Sequence, residues 1–191
     1  MALVLLAPAV LVGASATGVA EIAYPAVRPA IEDEVSQRLE DARLNALFAR
    51  HYDIPLDLAT RIHGAARDAG VDPVLAFGLV DTESSFRRTV VSWAGAVGYT
   101  QVMPATARWM EPGVQRADLF QTELNLKLGF EYLAYLLEYY EGDVRLALTA
   151  YNRGPGTVDN LLEQGRDPEN GYADRVLGTE TRRGLLRFLR S

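Results

Sequence analysis

Asp72-Pro73-Val74-Leu75-Ala76-Phe77-Gly78-Leu79-Val80-Asp81-Thr82-Glu83-Ser84-Ser85 reads as one helix with an apolar body. Asp72 is a good N-cap, and Pro73 suits the first helical position, where an N–H would find no intrahelical partner. Val74, Leu75, Phe77, Leu79 and Val80 carry the helix to about Ser85. Upstream, Leu56 to Ala69 has helical spacing and stops at Gly70. Downstream, Arg87 to Val102 is irregular and holds Gly95 and Gly98, and Pro104 opens a short helix through Met110. Glu123 to Tyr140 is a long helix carrying Leu124, Leu128, Leu133, Leu136 and Leu137, broken by Gly142-Asp143. Val144 to Asn152 follows and ends at Gly154-Pro155-Gly156. Val158 to Gln164 and Asp174 to Leu177 are short helices, and Thr181 to Arg190 is a basic terminal one. No period-two alternation long enough for a sheet occurs, and there is no internal repeat. The class is all-α.

The ends of the chain read differently. Residues 1–20 carry no charged side chain and run Leu3-Val4-Leu5-Leu6 through Val10-Leu11-Val12 to small residues, Gly13-Ala14-Ser15-Ala16. That pattern fits a signal peptide or an uncleaved membrane anchor, although no Lys or Arg precedes the apolar run. With Pro8 inside it, the run is short for a membrane span, which takes about 20 apolar residues. Residues 21–54 read as linker plus amphipathic helix: Tyr24 to Pro29 as linker, Ile31 to Arg50 as helix. Residues 55–191 form the expected catalytic domain. An exported protein of the periplasm or cell envelope is expected, with possible membrane contact through its N-terminal segment.

The whole chain has 191 residues, 49% hydrophobic and 23% charged, which suits one domain with a small addition. It has no cysteine, which excludes disulfides and thiolate metal sites. A net charge of -6 argues against general nucleic-acid binding, which needs a basic face. His51 and His63 are spaced too widely for a helical zinc pair and read as surface or packing residues. No metal and no cofactor is expected. Oligomeric state is open, with a monomer as the default.

One carboxyl group stands out. Three, four and seven residues before Glu83 are Val80, Leu79 and Ala76, so Glu83 shares the apolar stripe of its helix. Asp81 lies about 200° around the axis and should face water. A carboxyl on an apolar stripe resists ionisation, because desolvation penalises its charged form. Such a group can deliver a proton to a leaving oxygen near neutral pH. The plainer alternative is an ion pair with Arg87 or Arg88.

The residues after Glu83 add to this. Glu83-Ser84-Ser85-Phe86 leads to Gly95-Ala96-Val97-Gly98-Tyr99-Thr100-Gln101-Val102-Met103-Pro104-Ala105-Thr106-Ala107. Then come Asn125, Gly129, Tyr132 and Leu133, and Ala147-Leu148-Thr149-Ala150-Tyr151-Asn152-Arg153-Gly154-Pro155-Gly156. In order and spacing this resembles the soluble lytic transglycosylase family, over roughly Leu56 to Leu177. The family's marks are a Glu-Ser opening, a Gly-x-x-Gln loop and an Ala-Tyr-Asn segment. The resemblance implies the lysozyme-like helical fold shared with goose-type lysozymes. It implies cleavage of the bond between N-acetylmuramic acid and N-acetylglucosamine in peptidoglycan glycan strands, closing a 1,6-anhydro ring. It implies Glu83 as the one catalytic acid/base, with Ser84 holding it or its substrate. Gln101 would bind sugar amide or hydroxyl groups, with Met103 packed nearby. Tyr151 would donate a hydrogen bond to Glu83, and Asn152 would contact substrate or support Tyr151. The sequence departs from the family at Tyr99-Thr100, where Leu-Met is usual, so groove width or subsite preference is in question. Two other readings stay open: a hydrolase using Asp118, Glu111 or Asp143 as a second acid, and a non-catalytic glycan-binding module.

Overall fold

The computed structural model describes residues 27–178, with side chains from residue 32. The expected signal or anchor (residues 1–20) and the basic helix at Thr181–Arg190 lie outside the described residues. The described residues fold as eight helices: α1 Val27–Tyr52, α2 Leu56–Asp68, α3 Pro73–Ser84, α4 Pro104–Met110, α5 Thr122–Tyr139, α6 Val144–Arg153, α7 Pro155–Glu163 and α8 Tyr172–Leu177, with a 3-10 turn at Asp118–Phe120. The all-helical class is as expected. Among the described residues the only strand-like pairings are two isolated antiparallel bridges, Val91 with Val97 and Val97 with Val102. No helix among them is long and apolar enough to cross a membrane.

The chain divides into two compact units at Arg43–Leu44, inside α1. In the first, Glu34 and Arg38 pair one turn apart at 2.7 Å on an exposed helix. The linker reading of Tyr24–Pro29 is corrected at its end, since Val27 to Pro29 already belong to α1. A proline is tolerated in a first turn because the N–H it lacks has no helical acceptor there.

In the second unit, from Leu44 on, α3 is the central element. Asp72 caps it as expected, accepting from the Val74 N–H at 2.7 Å and the Leu75 N–H at 3.4 Å. Leu75, Ala76, Phe77, Gly78, Leu79 and Val80 are all buried, so the helix is enclosed on every side of its middle. The Phe77 ring stacks on Phe48 with centroids 4.0 Å apart, which puts the last turns of α1 into the same core. Burying one such ring contributes about 3 kcal/mol. α8 crosses α3 at Gly78, where a Cβ would stand 2.2 Å from the Val176 carbonyl oxygen. Only glycine allows that approach, and it brings Tyr172 alongside the end of α3. α6 starts on a second aspartate cap, Asp143, which accepts from Arg145 and Leu146. α7 begins at Pro155, earlier than the glycines around it suggest, because proline again occupies a first helical position.

Candidate active site

Glu83 sits in the last turn of α3, on the side continuous with Leu79 and Val80. The helix stops hard after it. Ser85 and Phe86 both adopt left-handed backbone, φ 48° and 57°, which costs residues with side chains of order 1 kcal/mol or more each. Ser85 N–H donates to Asp81 at 2.9 Å, and Arg87 N–H donates to Ser84 at 3.1 Å, so the turn is held. The ion-pair alternative for Glu83 is not realised. Arg87 directs its Nε to the Ser84 carbonyl at 3.0 Å, and Arg88 directs Nη1 to the Phe120 carbonyl at 3.1 Å.

The donor to Glu83 is Tyr172, whose hydroxyl bonds Oε1. Tyr172 is only 2% exposed. Burial pushes the Glu83 carboxyl above the ordinary range, and the Tyr172 hydrogen bond and the nearby Arg175 charge pull part of the way back. Desolvation, and then the charge of Glu83, hold both Tyr172 and Tyr151 firmly protonated. The phenols therefore donate and do not exchange protons near neutral pH. Arg175 also lies over the Tyr172 ring, 5.5 Å from its centroid.

Tyr151 is close enough to Glu83 to feel its charge, but its hydroxyl donates elsewhere, to the Thr100 carbonyl at 2.8 Å. The expected Tyr151–Glu83 bond is thus corrected to Tyr172–Glu83. Tyr151 instead fixes the loop opposite. Asn125 does the same from α5: its Oδ1 accepts from the Thr100 N–H at 2.9 Å, and its Nδ2 donates to Val97 at 2.9 Å and Leu119 at 3.0 Å. Glycines make room for this. A Cβ on Gly98 would stand 2.4 Å from the Asn125 amide, and one on Gly129 would stand 2.3 Å from the Thr100 hydroxyl. Gln101 ends the turn with φ 49°, its Nε2 donating to Gly98 at 2.9 Å and Val90 at 3.1 Å. Its amide nitrogen is occupied by the loop, which leaves Oε1 as the end for an external partner. Met103, 39% exposed, flanks the loop.

Three expectations are corrected. Ser84 is buried, and its hydroxyl donates to the Val80 carbonyl at 3.0 Å, so it turns into the core and away from any substrate. Tyr99, 8% exposed, packs in the main core, and Thr100 is fully buried. The departure at Tyr99-Thr100 therefore alters the underside of the loop and leaves its outer face alone. Asn152 is exposed and accepts from Asn170 at 2.9 Å, and Asn170 in turn accepts the Tyr172 N–H at 3.1 Å. Asn152 thus supports Tyr172 and does not support Tyr151.

The three carboxylates considered as a second acid have structural partners. Asp118 accepts from the Gln115 N–H at 2.8 Å, Glu111 pairs with Lys127 at 2.6 Å, and Asp143 caps α6. The neighbours that set the state of Glu83 are a phenol and a guanidinium. His63 is buried against Asn45 at 2.7 Å, and among the described residues no three His, Asp or Glu side chains gather as a metal site.

Residues 61–172 match the transglycosylase SLT domain model, from α2 to the tyrosine that holds Glu83. The chain belongs to the transglycosylase SLT family. Two relatives are named membrane-bound lytic murein transglycosylase C. The Cronobacter sakazakii protein is 33% identical over 122 residues, covering 56% of this chain and 33% of that one. The Edwardsiella ictaluri protein is 36% identical over 119 residues, covering 54% and 32%. This chain therefore spans about a third of the length of these relatives. Among solved structures, the lytic transglycosylase Slt of Pseudomonas aeruginosa, determined as an inactive glutamate-to-glutamine mutant, is similar at 28% identity and a TM-score of 0.50, over 64% of this chain and 21% of that one. In this SLT domain, Tyr172 is the residue that sequence reading missed. The available signal was a tyrosine beginning an apolar stripe with Ala173 and Val176. A buried phenol usually takes a hydrogen-bond partner, and for Tyr172 it is Glu83.

Proposed function

We propose that this SLT domain is a peptidoglycan lytic transglycosylase in which Glu83 is the only catalytic acid/base. The observation that carries the reading is a half-buried carboxyl raised by desolvation, held by one phenol, with the candidate second carboxylates engaged elsewhere. Most glycosidases need two carboxylates, one as acid and one as base or nucleophile. A single one suffices when the substrate supplies the second nucleophile. Glu83, protonated, gives its proton to the oxygen joining N-acetylmuramic acid to N-acetylglucosamine, and that C–O bond breaks. The muramyl ring carries the positive charge, assisted by its own acetamido group. Glu83, now a carboxylate, removes the proton of the same sugar's 6-hydroxyl as that oxygen bonds to the anomeric carbon. The products are a 1,6-anhydromuramyl end and a free N-acetylglucosamine hydroxyl, and water is neither consumed nor formed. Tyr172 stabilises the carboxylate formed midway.

Around this centre, Gln101 Oε1 and Asn152 serve as hydrogen-bonding groups for the sugar, with Met103 as an apolar wall. Ser84 acts only through the helix end. Residues 1–20 direct the protein to the cell envelope as export signal or anchor, a reading supported by the membrane-bound naming of its relatives. The test is product analysis with purified peptidoglycan. Sugars lighter by one water than hydrolytic products support the reading, and ordinary reducing ends would replace it with hydrolysis.

A further inference from the structure

A row of aromatic rings leaves the Glu83 site along α5. Tyr151 touches Tyr132, centroids 5.4 Å apart, and Tyr132 lies 6.3 Å from Tyr135 with the rings nearly parallel. Trp109, on α4, sets its ring edge-on to Tyr135 at 5.0 Å, and Tyr139 follows at 6.0 Å from Tyr135. The inner rings, Tyr151 and Tyr132, are half-buried, while Trp109 is 59% exposed, Tyr135 37% and Tyr139 50%. Exposed rings on a surface usually turn freely, but these do not stand alone. The Tyr139 hydroxyl is tied to Asp159 at 2.9 Å, its ring meets Tyr140 at 4.9 Å, and Trp109 and Tyr135 brace each other. Their order is already established before anything binds, which removes most of the entropy cost of using them.

We propose that Trp109, Tyr135 and Tyr139 are a sugar-stacking platform that extends the catalytic groove and seats about two further rings of the glycan strand. The proposal rests on the reading of the substrate as a glycan. The chemistry fits a sugar. The C–H faces of a pyranose are apolar and lie on π faces, while its rim of hydroxyl and acetamido groups meets phenol tips and water. The length fits as well. From Trp109 to Tyr135 and on to Tyr139 the ring centroids step 5.0 and 6.0 Å, which is about the span of two linked sugars. The charge points away from an anionic bilayer, since Glu131 and Glu138 flank the row on the same helix. The platform makes the enzyme favour long strands over short ones.

The test uses the full chain carrying Glu83→Gln, so that nothing is turned over, titrated calorimetrically with N-acetylglucosamine tetramer and hexamer. The platform predicts tighter binding of the hexamer, and a loss of that gain by about tenfold in Trp109→Ala/Tyr135→Ala. Tyr135→Phe, which keeps the ring, retains the gain. An unchanged hexamer-to-tetramer ratio in the double variant overturns the platform, as does a ratio that changes only because the variant's oligomeric state in sedimentation has changed. The parent chain with Glu83 is run beside it on peptidoglycan. Anhydro products from the parent with an unchanged ratio refute the platform alone. A parent that neither binds nor cleaves refutes the glycan reading itself.

Discussion

Tyr172→Phe removes one oxygen and leaves the ring that fills the junction of α3 and α8. The Tyr172 hydroxyl is the hydrogen bond to the Glu83 carboxylate, and it is buried. A bond to a charged group is worth about 1.5–3 kcal/mol. In the proposed reaction Glu83 is a carboxylate only after it has given up its proton, so the bond is strongest midway through. Losing it should lower kcat by about 10- to 100-fold. The pH profile gives a second readout. The Tyr172 bond lowers the Glu83 pKa against the larger raising effect of burial. Without it the carboxyl stays protonated to higher pH. The acid works protonated, so activity falls as pH rises through its pKa, and the alkaline limb should move up in the variant. Release of soluble muropeptides, followed from pH 4 to 9, measures both effects. A variant with an unmoved alkaline limb and unchanged kcat refutes the role given to Tyr172.

Other expectations follow from the same packing. Asn125→Ala strips the loop of its acceptor and donors and leaves the Thr100 N–H and the Val97 and Leu119 carbonyls buried and unpaired. A loss of about 3 kcal/mol or more is expected in chemical denaturation, with activity falling alongside. Gly129→Ala gains helix propensity but drives a Cβ into Thr100, and overpacking of about 1–3 kcal/mol should win, lowering the melting temperature. Glu83→Gln should stabilise the protein at neutral pH by up to about a few degrees. The folded state holds the Glu83 carboxyl above its usual range, so the unfolded chain ionises it first. Stability is therefore lost as pH rises past the unfolded value, and the advantage of the glutamine form should vanish in acid. Melting curves at pH 4 and pH 7 decide it.

Much of the fold was legible because its boundaries rest on local chemistry. Asp72-Pro73 and Gly142-Asp143 punctuate the chain as cap-and-break signals should, and α3 and α6 start where those residues put them. The burial of Glu83 followed from its place on the stripe of Leu79 and Val80. The partners of Glu83 were not legible, because they depend on tertiary crossings. Tyr172 lies 89 residues away and arrives only because α8 passes over Gly78. Tyr151 feels the charge of Glu83, but its hydroxyl donates to the Thr100 carbonyl. Sequence order does not say which way a phenol turns when a carbonyl and a carboxyl both lie within reach. Ser84 failed for a local reason that can be stated in advance. A serine inside the last turn of a helix can bond back to the carbonyl four residues earlier, and this one does. Tyr99 stands between Gly98 and Gln101 in the motif, which suggests an outward position, yet the turn at Gly98 points it inward.

The most direct test of the central claim is the mass of the sugars that the chain and its Glu83→Gln variant release from peptidoglycan. The account predicts anhydro-ended products, one water lighter than hydrolytic ones, from the parent and none from the variant, with both proteins folded. Reducing ends from the parent, or anhydro products from the variant at a comparable rate, would contradict it.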